Sequence, residues 1–158
     1  PSVAAFIFSA PALEIHRNPV IEIKLLVGKI LGKAVPQLTL ATGLDANGIS
    51  SVPGEVARYK ADPLIHSKIT AQLGVSLVGD AADVIANAQK ITLPSLLYHG
   101  DADPIVNIEG TRAFAKGIAT DDMRYEEFPG LMHEVHHESE ADRQKVFNLI
   151  CEWLEPRL

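Results

Sequence analysis

With 158 residues, 47% of them hydrophobic and 22% charged, the chain can build one domain or a large part of one and is too apolar to stay disordered. A formal net charge of −6 argues against a nucleic-acid binder, which needs a basic face, and against attraction to anionic lipid through bulk charge. The single cysteine, Cys151, excludes an internal disulfide. No stretch is apolar enough over enough length to cross a membrane, because Glu22, Lys24, Lys29 and Lys33 interrupt the nearest one, residues 21–40.

The first element is a short, nearly all-apolar run over residues 3–8, ended by Ser9-Ala-Pro11. It suits a strand buried on both faces, as in parallel α/β sheets. Residues 20–35 predict an amphipathic or buried helix stopped by Pro36, and residues 42–54, rich in Gly, Ser, Asp and Asn, predict a loop. Short helices are expected over 55–61, 67–77 and 80–88, with no strand between residues 20 and 90. Residues 94–100 form a second buried strand, and 109–117 a short helix ending at a glycine. Residues 123–128 form a third strand ended by Pro129-Gly130. A last helix spans 138–154, its Val146, Leu149, Ile150 and Trp153 recurring at helical spacing.

This order reads as parallel α/β with some 70 residues of helix inserted between two core strands. It divides into a core strand and exit over 1–19, a helical cap over 20–90, and a second core portion over 91–158. Three parallel strands leave open edges and poorly covered faces, so the chain reads as the C-terminal part of a larger α/β protein.

Two loops carry candidate chemistry. His99-Gly-Asp-Ala-Asp103-Pro-Ile-Val106 follows a buried strand at its carboxyl end, with Asp103 at the tip and Gly100 allowing a tight turn. Phe128-Pro-Gly-Leu-Met-His133 follows the next strand. Alone, Asp103 could be a solvated turn residue and His133 an exposed one; His136 and His137 are expected at the start of the last helix. Together, on consecutive strands, they have the types that a nucleophile's base and its orienting carboxylate require. Their order of acid, base and terminal helix is that of α/β-hydrolases. The nucleophile elbow G-x-S-x-G is absent from this sequence: Ser9, Ser50, Ser51, Ser67, Ser76, Ser95 and Ser139 all lack its glycines, and Cys151 is expected in the core.

These residues bring a family into view. The chain resembles the C-terminal half of monoacylglycerol lipases and related lysophospholipase-like serine hydrolases, nearly end to end. Phe8-Ser-Ala-Pro-Ala12 is similar to the strand end that leads into the family's cap, and Tyr59-Lys-Ala-Asp-Pro-Leu64 to a stretch within it. The loops ending at Val106 and His133, the latter followed by Glu138, resemble the acid and base loops. The resemblance implies an α/β-hydrolase fold with an apolar cap, Asp103 as triad acid, His133 as triad base, and the serine and oxyanion donors upstream of this sequence. It implies a lipid ester substrate and an upstream half as partner. No cofactor and a cytoplasmic protein are expected beside it, with transient membrane contact through the cap.

Two rivals stay open. His133-Glu-Val-His-His137 matches the zinc-peptidase pattern H-E-x-x-H, which needs both histidines on one helical face and Glu134 as base. Pro129-Gly130 just upstream and the lack of a clear third ligand oppose it. The other rival is a non-catalytic module that binds lipid or protein through its cap. Asp101-x-Asp103 is no calcium loop, since Val106 and Arg112 stand where Gly and Glu are needed, and Gly28-Lys-Ile-Leu-Gly-Lys33 lacks P-loop spacing.

Overall fold

In the computed structural model, which describes residues 3–16 and 19–158, strand β1 (Phe6–Ser9) leads out to helix α1 (Pro19–Ala34). Strand β2 (Thr39–Ala41), helix α2 (Pro53–Ala61), strand β3 (Lys68–Thr70) and helix α3 (Ala71–Ala86) follow. The chain then runs through strand β4 (Ser95–Gly100), helix α4 (Ile108–Gly117), strand β5 (Met123–Phe128) and helix α5 (Glu140–Leu154). Residues 1–2 and 17–18, at the ends of the segment expected to enter the cap, lie outside the described residues.

β1, β4 and β5 form a parallel sheet in that order, with Phe8 beside Leu97 and Gly100 beside Phe128. Every residue of the central strand β4 is buried, which fits the lack of apolar–polar alternation in its sequence. Alternation sends its side chains to two cores. Leu96 and Tyr98 pack with Phe128, Val146, Leu149 and Trp153, so α5 covers that face. Leu97 packs with Phe114, Ala115 and Ala88, with Ile85 against them, so α4, the end of α3 and the 3-10 turn after it (Ala88–Lys90) cover the other. Side-chain caps start these helices: Asn107 accepts from Glu109 N–H and Ser139 from Asp142 N–H, each worth about 1 kcal/mol.

The insert between β1 and β4 departs from the sequence reading. It contains two strands where none was expected: β2 and β3 pair antiparallel, Leu40 beside Ile69. The helices expected over 67–77 and 80–88 are instead one helix, α3, preceded by β3. Thr70 explains the boundary, because its side chain accepts from Leu73 N–H and holds its own backbone extended. Gly79 lies exposed within the helix and does not break it, at a cost of about 1 kcal/mol relative to alanine.

Three smaller differences appear. β1 starts at Phe6, leaving Val3 exposed. The last helix starts at Glu140, with His136 and His137 in a 3-10 turn (Val135–His137) ahead of it. Cys151 is exposed rather than in the core, since the buried stripe of α5 runs through Val146, Leu149 and Trp153.

Candidate active site

The acid loop begins where β4 ends. Asp103 lies three residues beyond Gly100, with its side chain 1% exposed. A carboxylate buried this deeply needs donors for both oxygens. Oδ1 accepts from the backbone N–H groups of Ile105 at 2.7 Å and Val106 at 3.0 Å. Oδ2 accepts from His133 Nδ1 at 2.7 Å and His99 Nε2 at 2.9 Å. Burial pushes the Asp103 carboxyl up, but the bonds from His133, His99 and Val106 outweigh it and hold the group well below the usual carboxylate range. Outside the carboxylate, His16 Nε2 donates to the Asp103 carbonyl at 3.1 Å, tying the residue after β1's exit to this turn.

The base loop crosses directly over the acid loop. Gly130, at a φ of 75° that only glycine adopts freely, turns the chain back, and its N–H donates to Asp101 Oδ1 at 2.6 Å. The carbonyls of Leu131 and Met132 then pass so close to Gly100 that a Cβ there would stand 2.3 and 2.5 Å from them. Gly100 is thus required by this close approach, and not by the turn for which the sequence reading invoked it.

Two further anchors hold the base loop. His133 N–H donates to Gly48 O at 3.4 Å and Glu134 N–H to Ile49 O at 2.9 Å. Glu138, also buried, accepts from Met132 N–H at 2.9 Å and from the N–H of Ser51 at 3.0 Å. The Ser51 hydroxyl donates to it as well. One carboxylate therefore fastens the segment before α2 to the segment holding His133.

The ionised Asp103 can only accept, so the His133 nitrogen facing it, Nδ1, carries the proton. Nε2 then bears the lone pair, and it has no hydrogen-bond partner among the described residues. With its side chain 23% exposed, this nitrogen can take a proton from an approaching hydroxyl. No serine hydroxyl bonds to His133 among the described residues: Ser50 donates to His137 O and Ser51 to Glu138. Beside this loop lies an open groove of about 430 Å³, lined by Asn47, Ser50, Ser51, Val56, Lys60 and Met132 among others.

The zinc-peptidase reading does not fit this geometry. His133 lies in a loop and is held by Asp103, and His137 lies in a 3-10 turn, so they share no helical face. The side chains among the described residues whose spacing could admit a metal ion are Glu134, His136 and His137, with atoms within 4.8 Å of one another, and nothing in the structure makes them ligands. This group omits His133 and would spend Glu134 as a ligand.

The structure thus brings together the two residues singled out in the sequence. It adds His99, which donates to Asp103 and lies 2.7 Å from the Thr111 hydroxyl oxygen of α4, and Glu138, which anchors the base loop. The signal for His99 was available: a histidine closing a fully buried strand, four residues before an aspartate.

A family profile described as serine aminopeptidase, S33 (Hydrolase_4) matches residues 1–140. The chain belongs to this family. Among its relatives, the monoacylglycerol lipase of Mycolicibacterium smegmatis is 33% identical over 156 residues, 98% of this chain and 54% of that protein. Human monoglyceride lipase is 26% identical over 155 residues, 98% of this chain and 51% of that protein. The chain spans about half the length of the curated relatives it matches. The crystal structure of the Paleococcus ferrophilus monoacylglycerol lipase superposes with a TM-score of 0.88 at 33% identity, over 96% of this chain and 58% of that one. A soluble variant of Saccharomyces cerevisiae monoglyceride lipase, in complex with a substrate analog, superposes at 0.84 and 23% identity, which speaks for the fold alone. The fold class expected from the sequence, a portion of an α/β-hydrolase with an insertion between core strands, is the one found.

Proposed function

We propose that Asp103 and His133 are the acid and base of a Ser-His-Asp triad whose serine lies outside this chain, in a serine hydrolase of lipid-type carboxylic esters. The observation that carries this reading is the 2.7 Å bond from His133 Nδ1 to a buried, ionised Asp103, with Nε2 left open. In the proposed reaction Nε2 takes the proton of the serine hydroxyl as that oxygen attacks the ester carbonyl. Asp103 stabilises the imidazolium so formed, which then protonates the leaving alcohol. Water repeats the sequence on the acyl-enzyme and releases the fatty acid.

The substrate class, monoacylglycerol or lysophospholipid, draws its support from the names of the relatives and from an apolar surface. Ile23, Leu26 and Ile30 on α1 are each 63% exposed. On this reading residues 20–90 form a cap, 1–19 and 91–158 belong to the core, and the upstream half supplies the serine and the oxyanion donors. The α1 face is then a contact for lipid or a membrane surface, in a cytoplasmic protein. No helix among the described residues is long and apolar enough to cross a membrane.

The test compares this chain with a longer protein that includes the upstream half. Both are offered a monoacylglycerol, a lysophospholipid and an aminoacyl anilide, and both are treated with a serine-directed fluorophosphonate. The expected result is labelling and fatty-acid release by the longer protein and neither by this chain. Labelling and full turnover by this chain alone would overturn the reading, as would an anilide preferred over both lipids.

A further inference from the structure

Asp103 Oδ2 is shared. Besides His133 Nδ1 at 2.7 Å, it accepts from His99 Nε2 at 2.9 Å, and His99 Nδ1 lies 2.7 Å from Thr111 Oγ of α4. All three residues on the inner side of this line are buried, His99 and Thr111 completely. Because the carboxylate only accepts, His99 Nε2 carries a proton; a neutral ring then takes the Thr111 hydroxyl proton at Nδ1. The result is a one-directional relay, Thr111 to His99 to Asp103, that ends on the same oxygen that orients His133.

Resting on the triad reading above, we infer that His99 is a positioning residue that tunes the strength of the base. Its N–H draws electron density from Oδ2 and so limits how strongly Asp103 stabilises the His133 imidazolium. That keeps Nε2 unprotonated, and able to accept the serine proton, to lower pH than Asp103 alone would allow. Thr111 strengthens the effect, since a donor at Nδ1 makes the opposite N–H a better donor. A histidine serving only as filler would fix Asp103 in place without moving the pH at which His133 takes up its proton.

The other titratable groups around the pair leave this assignment intact. Glu127 of β5 lies beside His99 in the sheet and is engaged by Arg112 of α4. His16 faces the Asp103 carbonyl, not its carboxylate. On the base loop, Glu134 pairs with His137, and His136 lies against the His137 ring. Glu138 is occupied by Ser51 and Met132. None of these donates to Asp103 Oδ2.

The experiment titrates the histidine rings of the 158-residue chain by nitrogen NMR in five variants. His99→Leu, which removes the donor, is expected to raise the His133 midpoint by about one pH unit, a tenfold gain in proton affinity. His99→Gln, whose amide N–H can reach the place of Nε2, is expected to restore it. Thr111→Val should shift it the same way by about twofold, and Thr111→Ser should not. If His99→Leu does not fold, as judged by near-ultraviolet dichroism, the Thr111 pair decides. An unmoved midpoint in His99→Leu, or in Thr111→Val where the Leu variant is lost, overturns the inference; so does an equal shift in His99→Leu and His99→Gln. Asp103→Asn separates this from the underlying reading. If it leaves the His133 midpoint unchanged, the acid–base pairing itself fails. If it lowers that midpoint while His99→Leu leaves it unmoved, only the role of His99 fails.

Discussion

The Asp103 carboxyl shows how one residue can tie pH, stability and chemistry together. Burial alone would push it up, and the donors around it reverse the sign. Because its folded value lies below its unfolded value, it contributes stability that is fully present above the ordinary carboxylate value of about 4. That contribution is lost progressively as pH falls towards the depressed folded value. Urea unfolding between pH 6 and pH 3 should therefore show a declining midpoint, and Asp103→Asn should flatten the decline. Gly100→Ala belongs to the same scale. Its Cβ meets backbone carbonyls that have no room to yield, so a loss of about 3 kcal/mol is expected, read as a drop in melting temperature. Asp103 and His133 were legible in the sequence because each follows a strand of the expected kind. The reason for Gly100 was not, since it lies in a contact with residues more than thirty positions on.

Among elements, the base loop depends on what grips it. Glu138 receives donors from Ser51, 87 residues earlier, and from Met132. Glu138→Ala would leave those partly buried N–H groups without their acceptor, at a cost of about 2 kcal/mol. It should also loosen His133, seen as faster hydrogen exchange at residues 132–134. Leu149→Ala on α5 removes packing from the face that covers Leu96 and Tyr98, and should cost 2 to 5 kcal/mol, about 3 kcal/mol at this depth, without altering that exchange locally. The core strands and α4 and α5 could be read from periodicity and turn residues. The insert could not. β2 and β3 have three residues each, too short to alternate visibly, and pair across the 26 residues between them, 42–67. The Glu138 clamp escaped for the same reason: nothing local to a glutamate signals that a distant serine will face it.

Across the whole molecule, the two loops, the sheet and the insert converge on one nitrogen without a partner among the described residues, His133 Nε2. The outer edge of β1 has no paired strand among the described residues, and the apolar face of α1 is open. Both suit a chain that works beside further hydrolase core and an apolar substrate. A longer protein including the upstream half should keep its turnover in a strong chelator, because the geometry uses no metal at His133. The most direct measurement is the rate of monoacylglycerol hydrolysis by that protein with His133→Ala, set beside His137→Ala as the neighbouring control. The account predicts a loss of about 10³-fold or more in kcat for His133→Ala and nearly unchanged turnover for His137→Ala. Turnover surviving in His133→Ala, or lost only in His137→Ala, would contradict it.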